Sequence, residues 1–389
     1  MKKIGIITFY YNSSNYGGLL QSYALCKYLN DHGVVSEQIC YNHSIESQEL
    51  SWYKKLSQVS FKKKIAIIIH GVKGLIKRKL TELFAKKRIA ERKGATTTFR
   101  NGIPHSAVVY TPEIIHEVME KYDAFITGSD RVWHPAGIGN PYYLSFVHDK
   151  PKASYAASLA ATSLTSEQKI QLVQTLNDYD MVSVREAQTK ELLQNLVPVG
   201  VDFVLDPTLL LTADEWGTLA SKYICPKDYI FCYFMGGDYN NRKAAMKYAK
   251  KRKLSIVTIP YANNVFNIYD TFFGDVRISD AGPEDFISLL KNAKAVFTDS
   301  FHASVFSSIF HKDFFVFSRA DLKDSGSRIE SFTDLIGIPN RYCNSSERKR
   351  SAYIEAQSPI NYDIVDAKLQ SFISFSQDWL DRFIQLVQD

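Results

Sequence analysis

Short apolar runs and amphipathic stretches alternate along the first half of the chain. Residues 4–8 form an apolar run rich in β-branched side chains, and residues 19–32 repeat apolar side chains at helical spacing before Gly33. The same patterns predict strands at 34–40, 124–127, 152–156 and 181–184, and helices at 166–176 and 186–196. Strands that alternate with helices favour a parallel sheet covered on both faces.

The second half repeats this alternation with a different sequence. The predicted strands are 229–235, 255–259, 276–278, 295–298 and 314–317, and the predicted helices are 242–251, 284–292, 302–310 and 327–335. We therefore predict an α/β fold of two Rossmann-like, doubly wound domains, 1–205 and 206–389, that meet near Asp206-Pro207-Thr208. A long amphipathic helix over 363–387 ends the second domain. The ligand is expected in the cleft at the carboxyl ends of the strands.

Length and composition agree with two cores in a reducing compartment. The chain has 389 residues, 45% of them hydrophobic, which is enough for two domains of ordinary size. The five cysteines are scattered and show no Cys-x-x-Cys spacing, so neither a disulfide framework nor a zinc site is predicted. The apolar run at the N-terminus is shorter than the roughly 7–15 residues of a signal-peptide core. A cytoplasmic location is therefore expected.

The segment 53–94 differs from the rest of the chain in charge. It holds fourteen Lys or Arg against two Glu, so its net charge is +12, whereas the chain as a whole carries +6. One concentrated basic segment on an acidic body does not favour a nucleic-acid partner, which would need basic residues spread over a face. Its helical periodicity fits either a solvated helical hairpin or an interfacial helix that contacts an anionic membrane peripherally.

The most informative local sequence is Thr298-Asp299-Ser300-Phe301-His302. It follows a predicted buried strand and begins the next predicted helix. A histidine at the carboxyl end of a strand lies where a cleft would present it to substrate, and it titrates near neutral pH. His302 is therefore a candidate acid or base, with Asp299 or Asp130 as its orienting partner. Capping or packing of the helix start is the alternative.

Two polar loops follow predicted strands in the first half. Asn15-Tyr16-Gly17-Gly18 precedes a helix, where backbone amides can hold an anion, although a plain tight turn explains the glycines equally well. Thr127-Gly128-Ser129-Asp130 repeats the arrangement and has the same structural alternative.

Two arginines lie at or beyond the ends of predicted strands. Arg185 follows the strand at 181–184, and Arg328 lies in Gly326-Ser327-Arg328 after the strand at 314–317. A planar guanidinium binds phosphate or carboxylate through paired hydrogen bonds, although either residue could form a structural ion pair instead. The nine histidines show no metal-ligand spacing, so no metal is predicted.

Taken in order, five motifs resemble the polysaccharide pyruvyl transferase family. They are residues 15–25 (NYGGLLQSYAL), 127–133 (TGSDRVW), 183–186 (SVRE), 206–210 (DPTLL) and 298–303 (TDSFHA). The resemblance implies a GT-B-like fold, phosphoenolpyruvate as donor substrate without a further cofactor, and a sugar acceptor, expected to be lipid-linked.

The resemblance implies roles for His302, Arg185 and Arg328, and the strand ends and loops described above supply the remaining candidates. His302, Arg185 and Asp299 become the candidate catalytic residues. The candidate substrate-binding residues are Asn15, Gly17, Gly18, Gln21, Ser129, Asp130, Ser300, Arg319 and Arg328. Many members carry an arginine two residues before the histidine, where this chain has Ser300. The missing donor contact is therefore expected from Arg319 or Arg328.

Two other functions fit the same pattern. One is a GT-B glycosyltransferase that uses a nucleotide sugar, which would need a carboxylate for the ribose that the second half does not obviously offer. The other is an inactive scaffold of a polysaccharide-assembly complex, against which the retained Arg185 and His302 argue.

Overall fold

The structure is a computed structural model that describes residues 1–42, 86–161, 163–221, 223, 225, 228–261, 268–319, 326–343 and 350–389. Most of the predicted basic segment 53–94 lies outside the described residues, which include only its last part, 86–94.

The first half of the chain forms a parallel sheet. Its strands are β1 (Lys3–Ile7), β2 (Val35–Tyr41), β3 (His105–Tyr110), β4 (Ala124–Thr127), β5 (Lys152–Ala157), β6 (Met181–Val184) and β7 (Val201–Phe203). Their order is β3-β2-β1-β4-β5-β6-β7, and every described pairing is parallel. Strands β4 and β5 are buried along their whole length, as expected when helices cover both faces.

The second half forms a second parallel sheet. Its strands are β8 (Tyr229–Tyr233), β9 (Ser255–Thr258), β10 (Val276–Arg277), β11 (Ala295–Thr298), β12 (Asp313–Phe317) and β13 (Tyr342–Cys343). Their order is β10-β9-β8-β11-β12-β13. The predicted fold class, two doubly wound α/β domains, is confirmed by these two sheets.

Helices connect the strands and cover both sheets. In the first half they are α1 (Tyr16–Asp31), α2 (Lys86–Gly102), α3 (Ser166–Leu176) and α4 (Ala187–Leu193). Further along the chain they are α5 (Ala213–Leu219), α6 (Tyr239–Arg252), α7 (Pro283–Lys291), α8 (Phe301–Ile309), α9 (Gly326–Leu335), α10 (Arg350–Glu355) and α11 (Tyr362–Gln388). No helix in these described parts of the chain is long and apolar enough to cross a membrane.

Both sheets reverse their strand order at an equivalent place. In the first sheet the reversal lies between β1 and β4, and in the second it lies between β8 and β11. Such a reversal leaves a crevice at the carboxyl ends of the strands, where doubly wound proteins bind ligands. Helix α1 begins at the first crevice and helix α8 at the second, which brings the two predicted motifs to the same region.

The C-terminal helix α11, which the sequence pattern assigns to the second domain, packs against residues of the first half. Trp379 Nε1 donates to Asp202 Oδ2 at 3.1 Å, and Ser376 Oγ accepts from the Leu205 amide at 2.9 Å. Trp379 is fully buried and belongs to a hydrophobic core that contains residues of both halves. Because the chain returns in this way, the two halves share one core.

Candidate active site

A cavity of about 510 Å³ lies between the two halves of the chain. The residues that line it are Phe9, Asn15, Asp130, Arg131 and His134 from the first half, and Met235, Tyr261, Asp299, Ser300, Phe301, His302, Arg319, Arg328 and Ile329 from the second. The larger part of these side chains follows the carboxyl ends of strands. The cavity therefore occupies the crevice that the strand order predicts, and we call it the cleft.

His302 enters the cleft from the first turn of α8. Ser300 caps this helix, since its side chain accepts from the Ala303 amide at 3.5 Å. His302 Nε2 lies 3.5 Å from Asp206 Oδ2, and the imidazole is 10% exposed. This is ion-pair distance rather than a short hydrogen bond, and contacts of this kind often tighten only when substrate binds.

Asp206 is the carboxylate that lies beside the His302 ring. Its carboxylate is fully buried and accepts from Arg185 Nη1 at 2.6 Å and from Ser129 Oγ at 3.2 Å. Thr208 donates two more hydrogen bonds, from its amide at 3.0 Å and its hydroxyl at 2.7 Å. Burial alone raises the pKa of Asp206, but His302, Arg185 and Thr208 together hold it well below its usual range. The carboxylate is therefore a permanent negative charge beside the imidazole.

Asp299 and Asp130, the orienting partners predicted from the sequence, have described contacts with other groups, and the carboxylate at ion-pair distance from His302 is Asp206. Asp299 accepts from the Met235 amide at 2.7 Å and the Gly236 amide at 2.8 Å, so it holds the loop that follows β8. Burial raises the pKa of Asp299, and these two hydrogen bonds oppose the rise. Asp130 lies 3.7 Å from Arg185 Nη2, at a backbone φ of 78°. That left-handed conformation is tolerated better by Asp than by most residues.

Gly17 gives the histidine ring its space. A Cβ atom at Gly17 would lie 2.0 Å from His302 Nδ1, far inside van der Waals contact. Asn15 caps α1 by accepting from the Gly17 amide at 3.1 Å, which fixes this turn beneath the ring. Because α1 belongs to the first half and α8 to the second, the ring is seated at the contact between them.

Three arginines line the cleft: Arg131, Arg319 and Arg328. Arg328 Nε is buried and has no hydrogen-bond partner within the described parts of the chain. Burial and the charges of Arg185 and Arg131 lower the pKa of Arg328 to about 10, so it remains a cation at neutral pH. A buried cation held near other cations is stabilised by an anion, and the cleft therefore suits an anionic ligand.

Several predicted substrate-binding residues support the cleft from beneath instead of lining it. Gln21 is fully buried and donates to the Gly18 carbonyl at 2.9 Å and to Thr8 Oγ1 at 3.2 Å. Ser129 is likewise buried and donates to Asp206. Their side chains hold the loops after β1 and β4. Gly18 lies beside Asp130, since a Cβ atom there would be 3.6 Å from Asp130 Oδ2.

Arg185 is a buried positioning residue in this structure. Its Nη1 atom is bonded to Asp206, and its guanidinium lies 4.7 Å from the centre of the Phe301 ring. The sequence predicted it as a contact to the anionic donor, yet it does not line the cleft. Its strongest contact is the structural ion pair that the sequence left as the alternative.

Sequence reasoning missed Asp206, Arg131 and His134 as site residues. Asp206 was assigned to the domain boundary, and only its place in the Asp-Pro-Thr motif signalled a further role. Arg131 follows Asp130 directly and His134 comes just after Trp133, so the motif at 127–133 already pointed to that loop. Among the described residues, no group of three or more His, Cys, Asp or Glu side chains could hold a metal ion.

A model of the family described as polysaccharide pyruvyl transferase matches residues 15–321, which is well over half of the chain. The chain belongs to this family. The resemblance inferred from the five motifs is thereby confirmed. His302, Asp206 and most residues of the cleft lie within the matched residues, whereas Phe9, Arg328 and Ile329 lie outside them. A search of the curated proteins found no match.

Solved structures with a similar arrangement are sugar-nucleotide epimerases and glycosyltransferases. The UDP-GlcNAc 2-epimerase of Methanocaldococcus jannaschii is 13% identical, with a TM-score of 0.49 over 95% of this chain and 99% of the epimerase. The UDP-GlcNAc 2-epimerase of Neisseria meningitidis is 14% identical, with a TM-score of 0.45 over 95% and 98%. MurG of Acinetobacter baumannii is 10% identical, with a TM-score of 0.45 over 99% of each chain.

The position of Gly17 under His302 generates a prediction with a matched control. In Gly17→Ala the new methyl group must displace the imidazole, and overpacking of this kind costs about 1–3 kcal/mol. In Gly18→Ala the nearest atom is 3.6 Å from the new Cβ, which is ordinary contact. We expect Gly17→Ala to lower the free energy of unfolding, measured with urea, and Gly18→Ala to leave it unchanged or raise it. Crystal structures should show His302 moved away from Asp206 in the first variant alone. An unmoved ring in Gly17→Ala would contradict this account.

Proposed function

We propose that this polysaccharide pyruvyl transferase takes the pyruvyl unit from phosphoenolpyruvate and forms a ketal with two hydroxyls of a sugar in a polysaccharide repeat unit. The observation that carries the proposal is that one cleft holds a histidine beside a buried carboxylate together with three arginines. His302 with Asp206 offers proton transfer, and Arg131, Arg319 and Arg328 offer an anion site.

The donor fits the charge of the cleft. Phosphoenolpyruvate carries a phosphate and a carboxylate, and a guanidinium can bind either group through two parallel hydrogen bonds. Arg131 approaches from the first half of the chain, whereas Arg319 and Arg328 approach from the second. A donor bound between them would therefore also draw the two halves together around the reacting atoms.

The reaction needs one proton to be moved in each of two steps. In the first, a sugar hydroxyl oxygen bonds to C2 of the enol, C3 gains a proton and the hydroxyl loses one. In the second, the other hydroxyl oxygen bonds to C2 as the bond from C2 to the phosphate oxygen breaks, and the released proton leaves with phosphate. His302 is suited to accept and return these protons, since it lies in the cleft with its Nε2 atom 3.5 Å from the Asp206 carboxylate.

The first prediction of the proposed function concerns His302. His302→Ala should reduce turnover by at least about 10²-fold, because a positioned acid or base is worth that much or more. His311→Ala is the matched control, since His311 follows the same helix, is exposed and pairs with Asp366 at the surface. Phosphate released from phosphoenolpyruvate in the presence of a panel of lipid-linked and nucleotide-linked sugars gives the measurement.

If His302→Ala and the parent have equal turnover, His302 does not transfer protons in the reaction. If the parent itself releases no phosphate with any acceptor, and UDP- or GDP-sugars but not phosphoenolpyruvate raise its melting temperature, the nucleotide-sugar glycosyltransferase is the better function. If no phosphate is released and no nucleotide sugar raises the melting temperature, the inactive scaffold is the better function.

A further prediction concerns the donor contact of Arg328. Arg328→Lys keeps the charge but loses the planar fork, so the affinity for phosphoenolpyruvate should fall about tenfold or more. Arg277→Lys serves as the control, because Arg277 is exposed on β10 and its only described hydrogen bond is to the Gly274 carbonyl. Calorimetric titration with phosphoenolpyruvate measures both. Parent-like affinity in Arg328→Lys would show that Arg328 does not hold the donor.

We also propose that the acceptor is lipid-linked and that the enzyme meets it at the cytoplasmic face of a membrane. The support is the net charge of +12 in residues 53–94, whose basic residues flank apolar ones at helical spacing. Each basic residue close to an anionic membrane contributes about 1 kcal/mol of binding free energy, and salt screens that attraction.

Vesicle co-sedimentation tests this contact. The full chain should sediment with vesicles that contain anionic lipid at low salt, and with neutral vesicles at neither salt concentration. Replacing Lys62, Lys63 and Lys64 with Ser should weaken sedimentation. The same replacement at Lys243, Lys247 and Lys250, which are exposed on α6, should not. If the parent stays in the supernatant under all conditions, the basic segment is a solvated surface.

A further inference from the structure

A second, smaller cavity of about 350 Å³ opens between α4 and α9. Phe301 and Arg328 line both this cavity and the cleft, so they form the partition between the two. His302 lines only the cleft. A molecule in the second cavity would therefore lie behind the catalytic histidine and away from the reacting atoms.

The inner end of the second cavity presents hydrogen-bond donors that are not used. Arg185 Nε and Nη2 and Arg328 Nε are buried without a hydrogen-bond partner in the described parts of the chain. The carboxylates closest to the Arg185 atoms, Glu186 at 3.8 Å and Asp130 at 3.7 Å, are at ion-pair distance only. Buried donors that make no hydrogen bond are costly, and a bound acceptor would satisfy them.

The rest of the second cavity has a different character. Its walls are apolar and include Phe203, Leu209 and Phe332. Its mouth carries Glu191 and Asp334, both exposed to solvent. These carboxylates repel an anionic group at the mouth. The Asp206 carboxylate also lines the cavity, but Arg185 Nη1 pairs with it at 2.6 Å, so an anion is favoured at the arginine donors that make no hydrogen bond.

We propose that the second cavity is a binding site for an amphiphilic organic anion, with its carboxylate or phosphate at Arg185 and Arg328 and a compact apolar body against Phe203 and Phe332. Phosphoenolpyruvate does not match this description, since it has no apolar body to cover those walls. The site is thus separate from the donor site and takes a different ligand.

Occupation of the second cavity opposes binding of an anion in the cleft. Arg328 is shared, and a guanidinium drawn toward an anion on one side of the partition is withdrawn from the other. The coupling is reciprocal, so an anion in the cleft weakens the second site by the same factor. The arrangement provides a route for inhibition by a ligand that never touches the substrate.

Calorimetric titration of the full chain with phenyl phosphate, inorganic phosphate and phenol tests the proposal. Phenyl phosphate should bind at least about tenfold more tightly than either of the other two, because it alone offers both the anion and the apolar body. Ser331→Trp, which places a large ring in the second cavity, should lower the affinity for phenyl phosphate about tenfold or more. Gln188→Trp is the second blocking variant, at an exposed position on α4 that also lines the cavity.

Arg319→Met distinguishes the two cavities, because Arg319 lines only the cleft. This variant should bind phenyl phosphate as the parent does. The proposal is overturned if Arg319→Met abolishes phenyl phosphate binding, if both folded Trp variants bind it as tightly as the parent, or if inorganic phosphate binds equally well. None of these outcomes depends on pyruvyl transfer. The experiment therefore tests the second cavity independently of the proposed function.

Discussion

The cleft depends on one buried carboxylate. Taking the charges of Asp206 and Arg185 out of water costs several kcal/mol per ion, which the 2.6 Å contact between them and the hydrogen bonds from Thr208 and Ser129 offset. Removal of one partner would leave the other charge buried and unpaired, at a cost of about 3–5 kcal/mol. The ion pair therefore fixes the strand end at Arg185, the chain junction at Asp206 and the loop of Ser129 as one unit.

This unit matters because the histidine comes from elsewhere. Asp206 follows the last strand of the first sheet, whereas His302 begins a helix of the second, and Gly17 of the first half supports the ring from the other side. An acid or base assembled from both halves is oriented only while they are packed together. Helix α11 maintains that packing, since Trp379 binds Asp202 and Ser376 binds the Leu205 amide, just before Asp206.

The fold could be predicted wherever burial leaves a pattern in the sequence. The strands at 124–127, 181–184 and 295–298 have the predicted bounds, because central parallel strands are continuous apolar runs. Strand β3 was missed, since it lies at the sheet edge and exposes Val108 and Val109. Pairing of His302 with Asp206 could not be predicted either. It depends on how the two sheets pack against each other, which local periodicity does not encode.

The arginines show why the sequence motifs alone do not identify the residues that can bind an anion. Arg242 is buried and pairs with Asp270, and it also donates to the Gly236 and Asp238 carbonyls. The buried Nε atom of Arg328 has no hydrogen-bond partner in the described chain. A structural arginine is therefore distinguished from one that can bind an anion by its hydrogen-bond partners, which the sequence does not reveal. Arg319 and Arg328 line the same cavity as Ser300. In the second half of the chain, the positive charge of the cleft therefore comes from the residues that follow β12 and from α9.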